Sequence, residues 1–110
     1  MNDDVNGSNV RESTVIAWFE RFFAAAEYGN YQTAADRLGV SYTAIQQAVK
    51  NLESRYDVEL FEKPGGKKTN TNRPTAEGQI LRYIISRHQK AMADEAGEYL
   101  TDVRDGKFVL

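Results

Sequence analysis

The 110-residue chain contains no cysteine and only two prolines. The lack of cysteine excludes a disulfide framework and any metal site built from thiolates. No stretch reaches the roughly 18 consecutive apolar residues of a membrane-spanning helix, so no membrane partner is expected. The first residues are polar and acidic, without the basic and apolar regions of a secretory signal peptide. We therefore predict a cytoplasmic protein of one domain, long enough to bury a modest core.

Side chains that could carry catalysis are scarce. The one histidine, His88, lies in a helical apolar stripe, where packing is a far more common role than chemistry. HExxH and GxSxG motifs are absent. The stretch GGKKT at 65–69 is similar to a phosphate-binding loop, but it lacks the first glycine and has Lys68 where Ser or Thr is required. We predict no enzyme activity, no catalytic residue, no metal and no cofactor.

The negative charge is unevenly distributed along the chain. The formal net charge of -2 argues at first against a nucleic-acid partner. However, residues 31–82 carry a net charge of +2, between acidic segments on either side. Residues 63–76 contain four basic residues and no acidic one; the basic residues are Lys63, Lys67, Lys68 and Arg73. A small DNA-binding domain needs only such a local basic surface.

Residues 31–53 have the strongest pattern in the sequence. Gly39 is expected to end one short helix, and Ser41 to cap the next. The second helix has one apolar face, made of Ala44, Ile45, Ala48, Val49 and Leu52. Its other face is polar and carries Tyr42, Thr43, Gln46, Gln47 and Lys50. The pattern predicts a helix-turn-helix, although two amphipathic helices with a glycine turn also occur in other α-helical domains.

The residues before this unit predict a tail and a first helix. Residues 1–12 are polar, without periodicity, and are expected to form a disordered acidic tail. A helix is predicted from Ser13 or Thr14 to about Glu27, with an apolar stripe made of Val15, Trp18, Phe19, Phe22, Phe23 and Ala26. The helical spacing favours a core role for these aromatic rings over a platform for nucleic-acid bases. Gly29 is the expected C-cap and Asn30 the N-cap of the next helix.

Turn residues dominate the segment after the second helix. Val58 to Phe61 is a short apolar stretch, and 63–75 reads KPGGKKTNTNRPT. Its prolines and glycines predict a β wing with short strands near 60–63 and 71–74.

A long helix is predicted from its N-cap Thr75 to about Arg104, with Asp105 and Gly106 closing it. Its length would be about 45 Å. The apolar seam, spaced by three and four, consists of Leu81, Ile85, His88, Met92, Ala96, Tyr99 and Val103. A three-helix core cannot cover all of this seam, so we predict pairing with a second copy; the alternative is a helix packed back on its own domain.

The motifs A-A-D-R-L-G-V-S-Y-T-A-I at 34–45, V-E-L-F-E-K at 58–63 and T-A-E-G at 75–78 resemble the N-terminal domain of LysR-type transcriptional regulators. The related domain of molybdate-responsive regulators is similar. The resemblance implies a mainly α fold: a winged helix-turn-helix over 13–75, a long dimerisation helix over 76–105 and a C-terminal tail over 106–110. Asp57 stands where the family has glycine.

The resemblance further implies a homodimeric, sequence-specific regulator of double-stranded DNA in a bacterial or archaeal nucleoid. The recognition helix would be 41–56, and the wing at 63–74 would lie on the DNA backbone. In the family an effector-binding domain would follow near the end of this sequence, so the resemblance leaves two alternatives, a fragment of a longer regulator or a stand-alone member. No small-molecule effector domain is expected within these 110 residues.

We predict base contacts from Tyr42, Thr43, Gln46, Gln47 and Lys50, and backbone contacts from Tyr31, Gln32, Thr33, Ser41, Lys63, Lys67, Lys68 and Arg73. The family usually has Gln, Pro, Ser and Arg at positions 42, 43, 46 and 47, so its consensus site does not carry over. Because Gln pairs well with adenine and Thr can touch a thymine methyl, an A·T-leaning half-site is expected. A winged-helix protein-interaction or assembly module without DNA binding is the alternative that the acidic balance favours.

Overall fold

The computed structural model describes residues 10–63 and 72–107. This part of the chain forms four helices, α1 Glu12–Tyr28, α2 Tyr31–Leu38, α3 Tyr42–Tyr56 and α4 Ala76–Arg104. The mainly α fold that the sequence predicts is confirmed. The first helix begins one or two residues earlier than predicted, and Val10 packs against the core just before it. The rest of the predicted tail, residues 1–9, lies outside the described residues.

The turns between the first three helices form where the sequence places them. Gly29 and Gly39 have φ values of 71° and 69°, the left-handed conformation that glycine adopts without steric cost. Asn30 accepts a hydrogen bond from the Thr33 N–H at 2.8 Å, and Ser41 accepts one from the Ala44 N–H at 3.0 Å. These caps satisfy backbone donors that no earlier turn of the helix can reach. The helix-turn-helix geometry is therefore encoded locally.

Helix α1 is the element on which the other helices pack. It contacts α2, α3 and the first half of α4. The largest fully buried side chains are Phe22, Ile45, Leu52 and Leu60. Trp18 is also buried, while Phe19 and Phe23 are half-buried against the same core. The aromatic stripe of α1 therefore fills the core, as its helical spacing predicts.

The C-terminal half of α4 projects away from this core. Ile85 is buried and Leu81 partly buried against α1, and Arg82 forms an ion pair with Glu27 at 2.9 Å. From Ser86 onward nearly every residue of the helix is exposed. At 29 residues the helix is about 43 Å long, and the molecule extends over 60 × 35 × 26 Å. Within the described ranges, no helix combines the length and the hydrophobicity needed to cross a bilayer.

The predicted wing is described only at its base. Phe61 and Pro74 form an isolated antiparallel bridge, the Glu62 N–H donates to the Arg73 carbonyl at 2.7 Å, and the Thr75 N–H donates to the Leu60 carbonyl at 3.0 Å. These hydrogen bonds bring the two ends of the segment together. The predicted wing between these ends, with Lys67 and Lys68, lies outside the described residues, as do residues 108–110 of the predicted C-terminal tail.

Candidate nucleic-acid interface

The polar face of α3 is presented to solvent on the side opposite the core. Tyr42, Thr43, Gln47 and Lys50 are exposed, and Gln46 is partly buried. Ile45, Ala48, Val49 and Leu52, on the other face, are buried. The structure thus brings all five predicted base-contact residues onto one continuous surface. A helix with such a face fits the width of the DNA major groove.

Gln47 uses part of its hydrogen-bonding capacity within the helix. Its amide Nε2 donates to Asn51 Oδ1 at 2.9 Å. An amide side chain has two N–H donors and a carbonyl acceptor, so one donor and the acceptor remain for a base edge. The bond to Asn51 also fixes the direction in which Gln47 points.

Two contacts tie α3 to the rest of the domain at its ends. Near the C-terminal end, the Glu53 carboxylate accepts a hydrogen bond from the Leu60 N–H at 2.8 Å. At the N-terminal end, the ring of Tyr42 lies against the ring of Tyr31, with centroids 5.7 Å apart. The first contact holds the wing base to α3, and the second holds α2 to α3.

The start of α2 lies beside the start of α3. Gln32 is exposed and donates to Asp36 at 3.0 Å, while the backbone of Thr33 is capped by Asn30. Tyr31 is half-buried, and its ring also packs edge-on against Phe61 at 5.9 Å. Burial, followed by the negative charge of Glu53 and the nearby Tyr42, raises the pKa of Tyr31 from 10.0 to about 12. Its predicted contact with phosphate remains a prediction.

The two described basic residues of the wing segment, Lys63 and Arg73, are exposed. Lys63 forms an ion pair with Glu59 at 3.5 Å, both side chains being largely in solvent. Such a pair contributes only about 0–1 kcal/mol, so it can exchange readily for a phosphate. Arg73 is exposed on the other side of the wing base. The structure therefore places both cations at the same end of the domain, on either side of the Phe61–Pro74 bridge.

The residues of the predicted dimer seam on α4 lie in three different surroundings. Ile85 lies in the core of its own chain, with 9% of its surface exposed. His88 and Met92 border an apolar hollow of about 440 Å³ between α1 and α4, which also contains Ile16 and Phe19. Ala96, Tyr99 and Val103 lie on the projecting half of the helix and are exposed. Ile16 of α1, which also lines this hollow, was not included in the apolar stripe that the sequence predicts for α1. The structure shows that 54% of its surface is exposed.

Comparison with known proteins agrees with this geometry. A profile of bacterial regulatory helix-turn-helix proteins of the lysR family matches residues 16–79. The chain is 37% identical over 60 residues to the HTH-type transcriptional regulator AceR of Acinetobacter baumannii. The aligned residues cover 54% of this chain and 19% of AceR.

Solved structures share the same arrangement of helices. The CbnR DNA-binding domain, in its DNA complex, superposes with a TM-score of 0.62 at 27% identity and covers 80% of this chain and 95% of that one. The BenM DNA-binding domain, in complex with catB site 1 DNA, has the same fold, with a TM-score of 0.70 at 17% identity over 80% of this chain and 93% of that one.

The match is to one part of longer proteins. The chain spans between 15% and 26% of the length of the curated relatives that it matches. The matched part begins in α1 and ends in the first turn of α4, so it contains the whole helix-turn-helix and the wing segment. This is a family of transcription regulators and not of enzymes. The chain belongs to the lysR family of bacterial regulatory helix-turn-helix proteins.

Proposed function

We propose that this chain binds double-stranded DNA sequence-specifically as a homodimer and regulates transcription in the cytoplasm. Helix α3 enters the major groove, and the segment 63–74 lies along the phosphate backbone. The observation that carries the proposal is the polar face of α3. Its residues are exposed apart from the partly buried Gln46, and contacts to α2 and the wing base hold the helix near its two ends. The solved structures of the CbnR and BenM domains are complexes with DNA, and by analogy we propose DNA as the partner of this face.

The five side chains of the α3 face are the proposed base readers. Gln46 and Gln47 can each donate to and accept from adenine, and the Thr43 methyl can contact the thymine methyl. Lys50 can donate to guanine. The three residues that suit A·T pairs outnumber the one that suits G·C, which supports an A·T-leaning half-site.

Backbone contacts are proposed for the residues around this face. The Ser41 hydroxyl accepts from Ala44, and its own hydrogen remains available to donate to a phosphate. The set is completed by Tyr31, Gln32 and Thr33 at the start of α2, and by Lys63, Lys67, Lys68 and Arg73. Such contacts position the domain without reading sequence.

The exposed seam of α4 supports the homodimer. Met92, Tyr99 and Val103 are 66%, 44% and 47% exposed, and the hollow beside His88 is almost entirely apolar. The equivalent projecting helix of a second copy has the same apolar stripe and can cover it. Met92→Glu should shift the species from twice the chain mass of 12.4 kDa toward the monomer in light scattering. Thr101→Glu, on the opposite side of α4, is the matched control and should leave the mass unchanged.

Fluorescence anisotropy with a random-sequence duplex, followed by site selection, tests DNA binding. The four basic residues proposed for backbone contact would neutralise about eight phosphates per dimer, so the affinity should fall about a thousandfold or more between roughly 50 and 200 mM salt. Gln46→Ala should relax the preference at one position by about 1–3 kcal/mol, and Gln79→Ala on α4 should not.

Two exposed lysines provide a matched pair for the wing. Lys63 pairs with Glu59, and Lys90 pairs with Asp94 on α4, with comparable exposure of all four side chains. Lys63→Ala should reduce the magnitude of the negative slope of log K against log salt concentration by about two per dimer, whereas Lys90→Ala should not change it. A stable dimer that fails to bind any duplex at low salt would overturn the proposal. The α3 face would then be examined as a protein-interaction surface.

A further inference from the structure

Four aromatic rings connect the centre of the core to the first residue of α3. Phe22, which has no exposed surface, lies 5.3 Å from Phe61, measured between ring centroids. Phe61 lies 5.9 Å from Tyr31, and Tyr31 lies 5.7 Å from Tyr42. All three pairs are tilted or edge-on, which is a favourable geometry for aromatic contacts. The series ends at Tyr42, which is 46% exposed on the polar face of α3.

The position of Tyr42 in its helix explains why it needs an outside support. Long side chains in a helix lean back over the preceding turn, which holds them in place. Tyr42 is the first residue of α3, so no preceding turn exists. The ring of Tyr31, at the first position of α2, supplies the missing surface. The direction of the Tyr42 side chain is therefore set by a residue of another helix.

Tyr31 is itself held firmly enough to act as a support. Its ring contacts Phe61 at the wing base, and Phe61 is only 8% exposed. Leu60, beside Phe61, is fixed by the hydrogen bond from its N–H to Glu53. Tyr31 is therefore bounded by α3 on one side and by the wing base on the other.

We propose that Tyr31 is a positioning residue for base recognition, which holds the Tyr42 ring in the orientation that contacts a thymine methyl in the major groove. The inference rests on the proposed function. An aromatic ring edge offers apolar contact to the C5-methyl group, which among the four bases of DNA only thymine carries on its major-groove edge. A ring fixed before binding loses little rotamer freedom on binding, so the contact favours thymine more than a mobile side chain would. Tyr31 thereby influences sequence preference through Tyr42.

Site selection with four variants tests this coupling. Tyr42→Ala should reduce the preference for thymine at one position several-fold, because it removes the apolar contact to the thymine methyl. Tyr31→Leu, which removes the supporting ring, should reduce the preference at the same position, whereas Tyr31→Phe keeps the ring and should retain it. In the double variant Tyr31→Leu/Tyr42→Ala the loss should equal that of Tyr42→Ala alone, since Tyr31 acts through Tyr42.

Replacing the selected thymine by deoxyuridine isolates the methyl group. The wild-type protein should bind the deoxyuridine duplex several-fold more weakly, and Tyr42→Ala should bind both duplexes equally. Because Tyr31→Leu also loses packing against Phe61, its fold is checked by thermal unfolding. Should it not fold, Tyr31→Met, whose unbranched side chain adapts to irregular space, replaces it.

The outcomes separate this inference from the proposed function. If the wild-type protein selects no sequence, the proposed function fails. If it selects a sequence, but the losses from Tyr31→Leu and Tyr42→Ala fall at different positions or add, the positioning role is overturned. Insensitivity of the wild-type protein to deoxyuridine at every selected thymine overturns the methyl contact. Loss of the preference in Tyr31→Phe would also contradict the proposal, because the ring is what it requires.

Discussion

Gly78, in the first turn of α4, lies directly against the backbone of Leu60 at the wing base. A Cβ atom at position 78 would overlap the Leu60 carbonyl oxygen and come within 3.2 Å of the Pro74 Cβ. The obstacle is backbone, which cannot rotate away as a flexible side chain would. The close approach also allows two hydrogen bonds from Thr75. Its hydroxyl donates to the Glu59 carbonyl, and its backbone N–H donates to the Leu60 carbonyl. Gly78 therefore determines how near the long helix comes to Leu60 and Pro74 at the wing base.

Gly78→Ala should lower the free energy of unfolding by about 3 kcal/mol, because the added methyl group forces α4 away from Leu60. Gly97→Ala is the matched control, since Gly97 is in the same helix and has nothing within 4 Å of an added Cβ. It should raise stability by up to about 1 kcal/mol through helix propensity. Urea denaturation of both variants measures the difference. Equal stability of the two variants would contradict the clash.

The hydrogen bond between Glu53 and the Leu60 N–H predicts a second stability effect. Glu53→Ala leaves the Leu60 N–H without its acceptor and should lower the free energy of unfolding by about 2 kcal/mol. Glu53→Gln should cost less, because the amide oxygen can still accept. Glu98→Ala, at an exposed position of α4, should be nearly neutral. Chemical denaturation of the three variants checks the ranking, and a Gln variant as unstable as the Ala variant would count against a simple loss of acceptor.

Asp57 provides a stabilising prediction. It ends α3 with φ of 54°, the left-handed conformation that is costly for residues with a Cβ. Asp57→Gly should raise the free energy of unfolding by roughly 0.5–1 kcal/mol, and Asp57→Ala should lower it, because Asp tolerates this conformation better than Ala. Thermal unfolding distinguishes the three side chains. A stability order other than Gly, Asp, Ala would show that another interaction of Asp57 dominates.

The raised pKa of Tyr31 predicts a loss of stability at high pH. Below about pH 10 the hydroxyl is protonated in both the folded and the unfolded chain, so its contribution is fully present. Between about pH 10 and 12 the unfolded chain loses this proton first, so the free energy of unfolding falls as pH rises. Tyr31→Phe cannot ionise and should show a weaker dependence over this window. Denaturation at several alkaline pH values measures the stability of both proteins, and identical curves would contradict the raised pKa of Tyr31.

Much of the fold follows from short stretches of sequence. The turns at Gly29 and Gly39, and the caps at Asn30, Ser41 and Thr75, involve residues no more than four positions apart. Periodicity likewise separates the buried from the exposed face of α3, because a helix repeats every 3.6 residues whatever surrounds it. These local features predicted the helix ends and brought the five α3 residues onto one face.

Only the tertiary structure decided which residues from distant segments meet. The sequence placed Ile85 in a seam for a second copy, but packing against α1 buries it in its own chain. Nothing local marks the contacts of Tyr31 with Tyr42 and Phe61, or the approach of Gly78 to Leu60, because each depends on the angle and register at which separate elements pack. The amino-acid sequence by itself thus determined the elements and their faces, while long-range packing decided how the proposed reading face is supported.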